Sequence, residues 1–228
     1  MSVAPKRIAI VGTAVTTLHQ APYNDPSWEV WGLNALYTFP GVRWDRWFEL
    51  HSREHLAGWL DGRHWKWLTE QQPGKPLYMR ETYPECPAAV AFPVERLLVA
   101  FPSRYYTNTV SYMIALAMLE GATEIGVWGV DMATSTEYGS QRPSCEFWLG
   151  LAMGAGIRVT LPKATDLLQA GHLYALEDPP AWMAKLKAQE RAAAQKAAEL
   201  EALIDDKTRE LEQYRGGLQT VRLLMNNR

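Results

Sequence analysis

Thr123–Asp131 (TEIGVWGVD), read together with Arg7–Gly12 (RIAIVG), decides the fold class of this chain. Each is an apolar run that ends in a glycine turn carrying polar groups. The unbroken Ile, Ala and Val of Arg7–Val11 is the pattern of a strand covered on both faces, as in a parallel sheet. In open sheets of that kind the ligand sits outside the carboxyl ends of the strands. There a first turn bares backbone N–H groups and a later one supplies a carboxylate. The two segments thus predict a nucleotide-sized crevice, with Gly12 and Thr13 on one strand end and Asp131 on another.

Working outward, Trp28–Leu33 alternates into a second strand that ends at Asn34, and Asp45–Leu50 (DRWFEL) reads as a third that delivers His51. Ile157–Leu161 (IRVTL) closes a β-loop-α-β unit begun by Thr123–Val130. Helices are expected over Glu54–Gln71, Val94–Phe101, Ser111–Gly121 and Cys145–Gly154. Gly121 stands where a helix-terminating glycine belongs. Pro73–Pro93 holds five prolines and reads as a lid-like or edge excursion. Together these elements predict an α/β fold, a Rossmann-like three-layer sandwich around a mostly parallel sheet.

The chain changes character after Pro179-Pro180. From Trp182 to Arg215 it is Ala, Glu, Lys, Leu and Gln without glycine or proline, a strong helix composition. Leu200, Ile204, Lys207, Leu211, Tyr214, Leu218, Val221 and Met225 alternate spacings of four and three, the seam of a heptad repeat. Residues 1–178 are therefore read as a nucleotide-binding domain and 179–228 as a coiled-coil-like helical tail. The expected use of the tail is homo-oligomerisation, with folding back on the body or a solvated single helix as alternatives.

Composition excludes several classes. Net charge is −2, and residues 183–228 hold 9 basic and 7 acidic side chains, which leaves the body with 14 basic against 18 acidic. A body of net −4 does not point to nucleic acid. Cys86 and Cys145 stand far apart with no C-x-x-C, so neither a disulfide framework nor a zinc site is expected. There is no run of ~18 apolar residues and no signal-peptide pattern, which predicts a soluble, cytoplasmic protein with no membrane partner. Most of the ten tryptophans fall between Trp28 and Trp67, beside His51, His55 and His64. Rings at that density either stack on a base or sugar or fill a core built from short helices.

The chemistry must come from strand-end residues. Gly12 and Thr13 offer close backbone approach and a hydroxyl, but neither G-x-G-x-x-G nor G-x-x-x-x-G-K-[ST] is present, which disfavours the familiar NAD and ATP sites. Asn34 either reads a base edge or ribose hydroxyl or caps the next helix. Thr107, Asn108, Thr109 and Ser111 are equally an anion site and ordinary capping residues. Asp131 suits a ribose hydroxyl, a metal or a loop cap. Arg142 suits a phosphate, or pairs with Glu137 or Glu146 at the surface. Cys145 as a nucleophile has no base adjacent in sequence. His51 follows a strand and precedes Arg53 and Glu54, an active-site address. His51 and His55 are also spaced to share a metal with a carboxylate, yet H-E-x-x-H is absent and no metal is expected.

The order strand–GTA, strand–GLN, YTNTVSYMIALAMLEGATEIGVWGVDM resembles the sialyltransferase-like fold of bacterial CMP-sialic acid transferases and the related motility-accessory-factor group. The resemblance covers about residues 7–138 and is strongest over Thr107–Asp131. It implies that Gly12, Asn34, Thr109, Ser111 and Asp131 contact a nucleotide. It also implies that Tyr138 meets the donor phosphate and that His172 (AGHLY) lies downstream where the family carries its catalytic histidine. Gly12–Thr17 reads GTAVTT where the family has G-x-G-P-S. The segments APYNDPSWEVWGLN and EYGSQRPSCEFWLG also resemble a group of bacteriophage proteins, which implies a source and no activity.

The function implied is a nucleotide-sugar-dependent, metal-independent glycosyltransferase. His51 or His172 would be the base, and Tyr138 with Arg142 would hold the leaving group. No tightly bound cofactor is expected, and a nucleotide or nucleotide-sugar is the ligand. The alternatives are a non-catalytic protein that captures a nucleotide signal and a hydrolase that cleaves a nucleotide.

Overall fold

A computed structural model describes residues 5–71, 74–132, 136–178 and 181–226, with the side chains of 136–138 and 181–182 outside the description. It falls into two compact units, Met1–Gln169 and Ala170–Arg228, each described here by itself. Within the first, seven strands form one sheet: β1 (Arg7–Val11), β2 (Trp28–Leu33), β3 (Arg46–Glu49), β4 (Leu77–Met79), β5 (Ala89–Ala91), β6 (Glu124–Trp128) and β7 (Arg158–Thr160). Their order is β5-β4-β3-β2-β1-β6-β7, and every pairing is parallel. The α/β class with a parallel sheet and a long C-terminal helix is as the sequence predicts.

The apolar run of β1 explains the layers. Successive side chains of a strand point to opposite faces, so Ile8 and Ile10 enter one core and Ala9 and Val11 the other, all four fully buried. The first core is closed by α3 (Val94–Ala100), α4 (Thr109–Leu119) and α5 (Thr136–Gly154), through Leu97, Met113, Ile114 and Trp148. The second is closed by α1 (Arg53–Gly58) and α2 (Arg63–Thr69), through Leu56 and Leu68. Trp47 lies at the centre of this second core, 4.6 Å from Trp67 and 5.5 Å from Trp44. The tryptophan-rich stretch therefore fills a core between short helices.

Several boundaries differ from the sequence reading. β4 and β5 lie inside the proline-rich excursion. They are three residues each, too short for a period to register, and the prolines sit outside them: Pro76 precedes β4, and its carbonyl accepts from Trp47 N at 2.9 Å. Glu54–Gln71 is two helices, because Leu60, Asp61 and Gly62 adopt φ of +51°, +55° and +77° and turn the chain. α5 starts nine residues early and contains Pro143, so the polar segment before Cys145 is helix where a loop is predicted.

In the second unit, α6 (Ala181–Asn226) runs 46 residues, through Gly216-Gly217 rather than stopping before them. That is about 69 Å at 1.5 Å per residue. Neither α6 nor any other described helix is long and apolar enough to cross a membrane.

Candidate functional site

The chain leaves β1 toward β2 on one side and returns after α4 to place β6 on the other, so the strand order reverses between β1 and β6. A crevice at the carboxyl ends of strands is expected at such a switch point. A cleft of about 570 Å³ opens there, lined by the ends of β1, β2, β3 and β6 and by the first turn of α4.

Its floor is a backbone junction. Gly12 N donates to Trp128 O at 2.9 Å and Ala14 N to Gly129 O at 2.8 Å, while Gly129 N donates to the Thr17 hydroxyl at 2.7 Å. A Cβ on Gly12 would stand 2.4 Å from Gly129 O, and one on Gly129 2.4 Å from Gly12 O. Gly129 also has φ +63°, a left-handed conformation that favours glycine. The two glycine turns in the sequence thus face each other and bring Thr13 and Asp131 to the same cleft.

Of the nucleotide contacts expected from sequence, Gly12, Thr13, Asn34, Thr109 and Asp131 all line this cleft. Asn34 follows β2 with φ +55°, and its Oδ1 is buried without a hydrogen-bond partner among the described residues. Asp131 accepts from the Thr16 hydroxyl on Oδ2, while its Oδ1 is buried and unpartnered in the same way. Tyr106 lines the cleft too. Its ring is stacked on Tyr112 at 4.3 Å and on Trp148 at 4.7 Å, its hydroxyl has no hydrogen-bond partner among the described residues, and burial pushes the phenol up to about 12.

An unsatisfied buried polar group costs roughly 1–3 kcal/mol. Three around one cleft, namely two acceptors and a phenol, define a surface that a ligand rich in hydroxyl or amino donors would complete. Asn108 caps α4, with Oδ1 accepting from Ser111 N at 2.9 Å. The first N–H groups of that helix, at Thr109 and Val110, form the positive, anion-favouring end of its dipole at the cleft.

Two expected contacts lie elsewhere. Ser111 is fully buried; its hydroxyl is within hydrogen-bond distance of Asn108 Oδ1 and Ser144 Oγ. Arg142 does not line the cleft: its guanidinium bonds Glu146 at 2.9 Å, Asp166 O at 2.6 Å and Gln169 O at 3.4 Å. Its predicted partner Glu146 is therefore real, and the group pins α5 to the segment after β7. Tyr138 lies in the first turn of α5, where its side chain is outside the described residues. His172 belongs to the second unit. Cys145 is fully buried and desolvation pushes its thiol up to about 11, which keeps it protonated and unfit as a nucleophile.

His51 lines the cleft two residues after β3. Its Nδ1 meets Glu49 Oε1 at 2.5 Å, its ring stacks on His55 at 4.6 Å, and Trp59 packs edge-on at 5.3 Å. With Nδ1–H given to a carboxylate, the lone pair of the neutral ring is on Nε2. Sequence reading missed Glu49, because a glutamate closing a four-residue strand gives no sign that it is buried. No group of three or more His, Cys, Asp or Glu among the described residues is placed to hold a metal ion.

The sequence matches no family model and no curated protein. Among solved structures it is similar to the sialyltransferase CstII from Campylobacter jejuni in complex with the substrate analogue CMP-3FNeuAc, at 16% identity over 68% of this chain and 80% of that one, with a TM-score of 0.47. The same sialyltransferase with cytidine-5'-monophosphate gives 15% identity over 76% and 86%, TM-score 0.45. The monofunctional alpha-2,3-sialyltransferase Cst-I from Campylobacter jejuni gives 14% over 86% and 97%, TM-score 0.40. At these values the likeness decides neither ligand nor chemistry.

Proposed function

We propose that the cleft binds a nucleotide-sugar and that the chain is a metal-independent glycosyltransferase of the sialyltransferase-like type. The observation that carries the reading is the meeting of two unpartnered buried acceptors, Asn34 Oδ1 and Asp131 Oδ1, with a carboxylate-held histidine in one switch-point cleft. The acceptors suit ribose hydroxyls or a base amino group, and the first turn of α4 with the Thr13 hydroxyl suits the phosphate. His51 would take the proton of an acceptor hydroxyl, while the backbone N–H groups stabilise the departing phosphate.

A second reading, capture of a nucleotide without turnover, is favoured by one feature. Among the described lining residues there is no Lys or Arg to neutralise a leaving group.

A thermal-shift screen against CMP, UMP, GMP, AMP, their nucleotide-sugars, NAD and cyclic dinucleotides tests both. A ligand at 100-fold over its Kd adds about 2.7 kcal/mol to the native state. For a domain of this size that raises Tm by about 5–10 °C. The expected result is a rise with CMP, UMP or a sugar nucleotide that Asp131→Ala and Asn34→Ala both abolish. A rise only with NAD or a cyclic dinucleotide would favour capture or cleavage, and no rise with any of them would sink the nucleotide reading.

We also infer that α6 pairs with the same helix of a second copy. Leu200, Ile204, Leu211, Tyr214, Leu218, Val221 and Met225 repeat at heptad spacing and are all exposed. An apolar seam this narrow is satisfied by one like helix. Lys207, within the seam, pairs with Glu210 at 2.5 Å instead, which weakens the register locally. A chain ending near Pro180 is expected to stay folded and to show a lower oligomeric order by light scattering; an unchanged order would refute the pairing.

A further inference from the structure

Behind His51 lies a buried charge that the transfer chemistry does not yet employ. Glu49 closes β3 with its carboxylate fully buried. Oε1 receives His51 Nδ1 at 2.5 Å and the His51 backbone N–H at 3.3 Å, and Oε2 meets His64 Nε2 at 2.7 Å. His64, on α2, is itself fully buried, its Nδ1 is 3.3 Å from the Tyr37 hydroxyl, and its ring packs on Trp59 at 4.5 Å and stacks on Tyr37 at 5.5 Å. Burial alone would raise the Glu49 carboxyl, but hydrogen bonds from His51 and His64 outweigh it and hold the group below the usual carboxylate range.

An ionised carboxylate only accepts. His51 Nδ1 and His64 Nε2 must therefore both carry protons, and a neutral His64 must accept the Tyr37 O–H on its Nδ1. The donors run from Tyr37 to His64 to one oxygen of Glu49, with His51 on the other. Of the two histidines His64 is sealed, and His51 is the one that lines the cleft. Among the described residues, the other titratable or charged groups nearby are His55, stacked on His51, Arg63, which acts on Tyr37, and Asp131 on the same cleft.

We propose that Glu49 is a positioning residue that fixes the tautomer of His51 and stabilises its protonated form, and that His64 is a positioning residue that keeps Glu49 ionised; this rests on His51 being the base of the transfer. In that step the acceptor proton passes to His51 Nε2, and the acceptor oxygen uses its freed electron pair to bond the anomeric carbon of the donor. The bond from that carbon to the phosphate oxygen breaks, and the nucleotide leaves with the pair. The buried cluster goes from net −1 to neutral as the imidazolium forms beside the carboxylate, so Glu49 favours the product of proton transfer. His64 supplies the second donor that lets Glu49 stay ionised in a dry site.

The test uses the full chain, with pH–rate profiles for the donor found by ligand screening and imidazole nitrogen NMR without any donor. Glu49→Gln is expected to lower kcat by about 10²-fold or more with KM for the donor unchanged. It is expected to move the acid limb to lower pH, because the base has lost its stabilising anion. His64→Phe removes the donor that keeps the buried carboxylate ionised, so the coupled pair of Glu49 and His51 takes up a proton more readily and that limb is expected to move the other way. By NMR, neutral His51 is expected to carry its proton on Nδ1 in the wild type and to lose that preference in Glu49→Gln. Acid limbs that stay in place, or a His51 tautomer indifferent to Glu49, would overturn the positioning role. If no donor is turned over by the wild type, the transferase reading fails and the NMR result still decides the assignment.

Discussion

His51→Ala is expected to lower turnover by about 10²- to 10⁴-fold, the range a positioned general base contributes, and to leave donor binding in place. The separation follows from geometry. The acceptors offered to the nucleotide stand after β2 and β6, on Asn34 and Asp131, whereas His51 stands after β3. Single-turnover rates beside equilibrium titration of the donor check it. His51 side-chain loss also strips Glu49 Oε1 of its shorter donor, a stability cost of roughly 1–3 kcal/mol, so thermal melts must show the variant folded at the assay temperature. His172→Ala is the companion variant. If it abolishes turnover while His51→Ala does not, the base has been assigned to the wrong histidine.

Gly129→Ala is expected to cost about 2–5 kcal/mol, combining left-handed backbone strain of about 1–2 kcal/mol with overpacking of about 1–3 kcal/mol. The added methyl would sit 2.4 Å from Gly12 O, 2.8 Å from Gly12 C and 2.9 Å from Leu18 Cβ. The first two are backbone atoms, tied into the junction by the Gly12–Trp128 and Ala14–Gly129 hydrogen bonds, and have no rotamer to yield. For a chain of this length Tm should fall by about 4–20 °C. Ligand-induced stabilisation should vanish, because β1 and β6 would part where Thr13 and Asp131 face the cleft. Gly150→Ala is the control: on an exposed turn of α5 nothing lies within 4 Å of the new methyl, so replacing a helical glycine there should raise stability by up to about 1 kcal/mol. A Gly129→Ala melt equal to wild type would show that the junction relaxes freely.

The sequence by itself determined the five strands β1, β2, β3, β6 and β7 and where their working edge lies. Short apolar runs ended by a glycine, such as RIAIV and EIGVW, read as strands covered on both faces, and the polar residues within three positions of the strand ends, Thr13, Asn34 and Asp131, come to one cleft because parallel strands all end on the same side. The glycine-free composition from Trp182 to Arg215 likewise fixed a helix, though not its passage through Gly216-Gly217, since one pair of weak formers does not stop a run so long.

Tertiary structure decided the rest. β4 and β5 are strands because the sheet edge pairs them, not because three residues have a period. Ser111 and Arg142 have the chemistry of ligand contacts but are consumed by Asn108 and Ser144, and by Glu146 and Asp166, partners distant in sequence or one helical turn away. Glu49 and His64 show the same limit from the other side. Fifteen residues apart and ordinary in composition, they become a buried charge and its donor only when β3 and α2 pack together, because burial and hydrogen bonding are properties of neighbours in space.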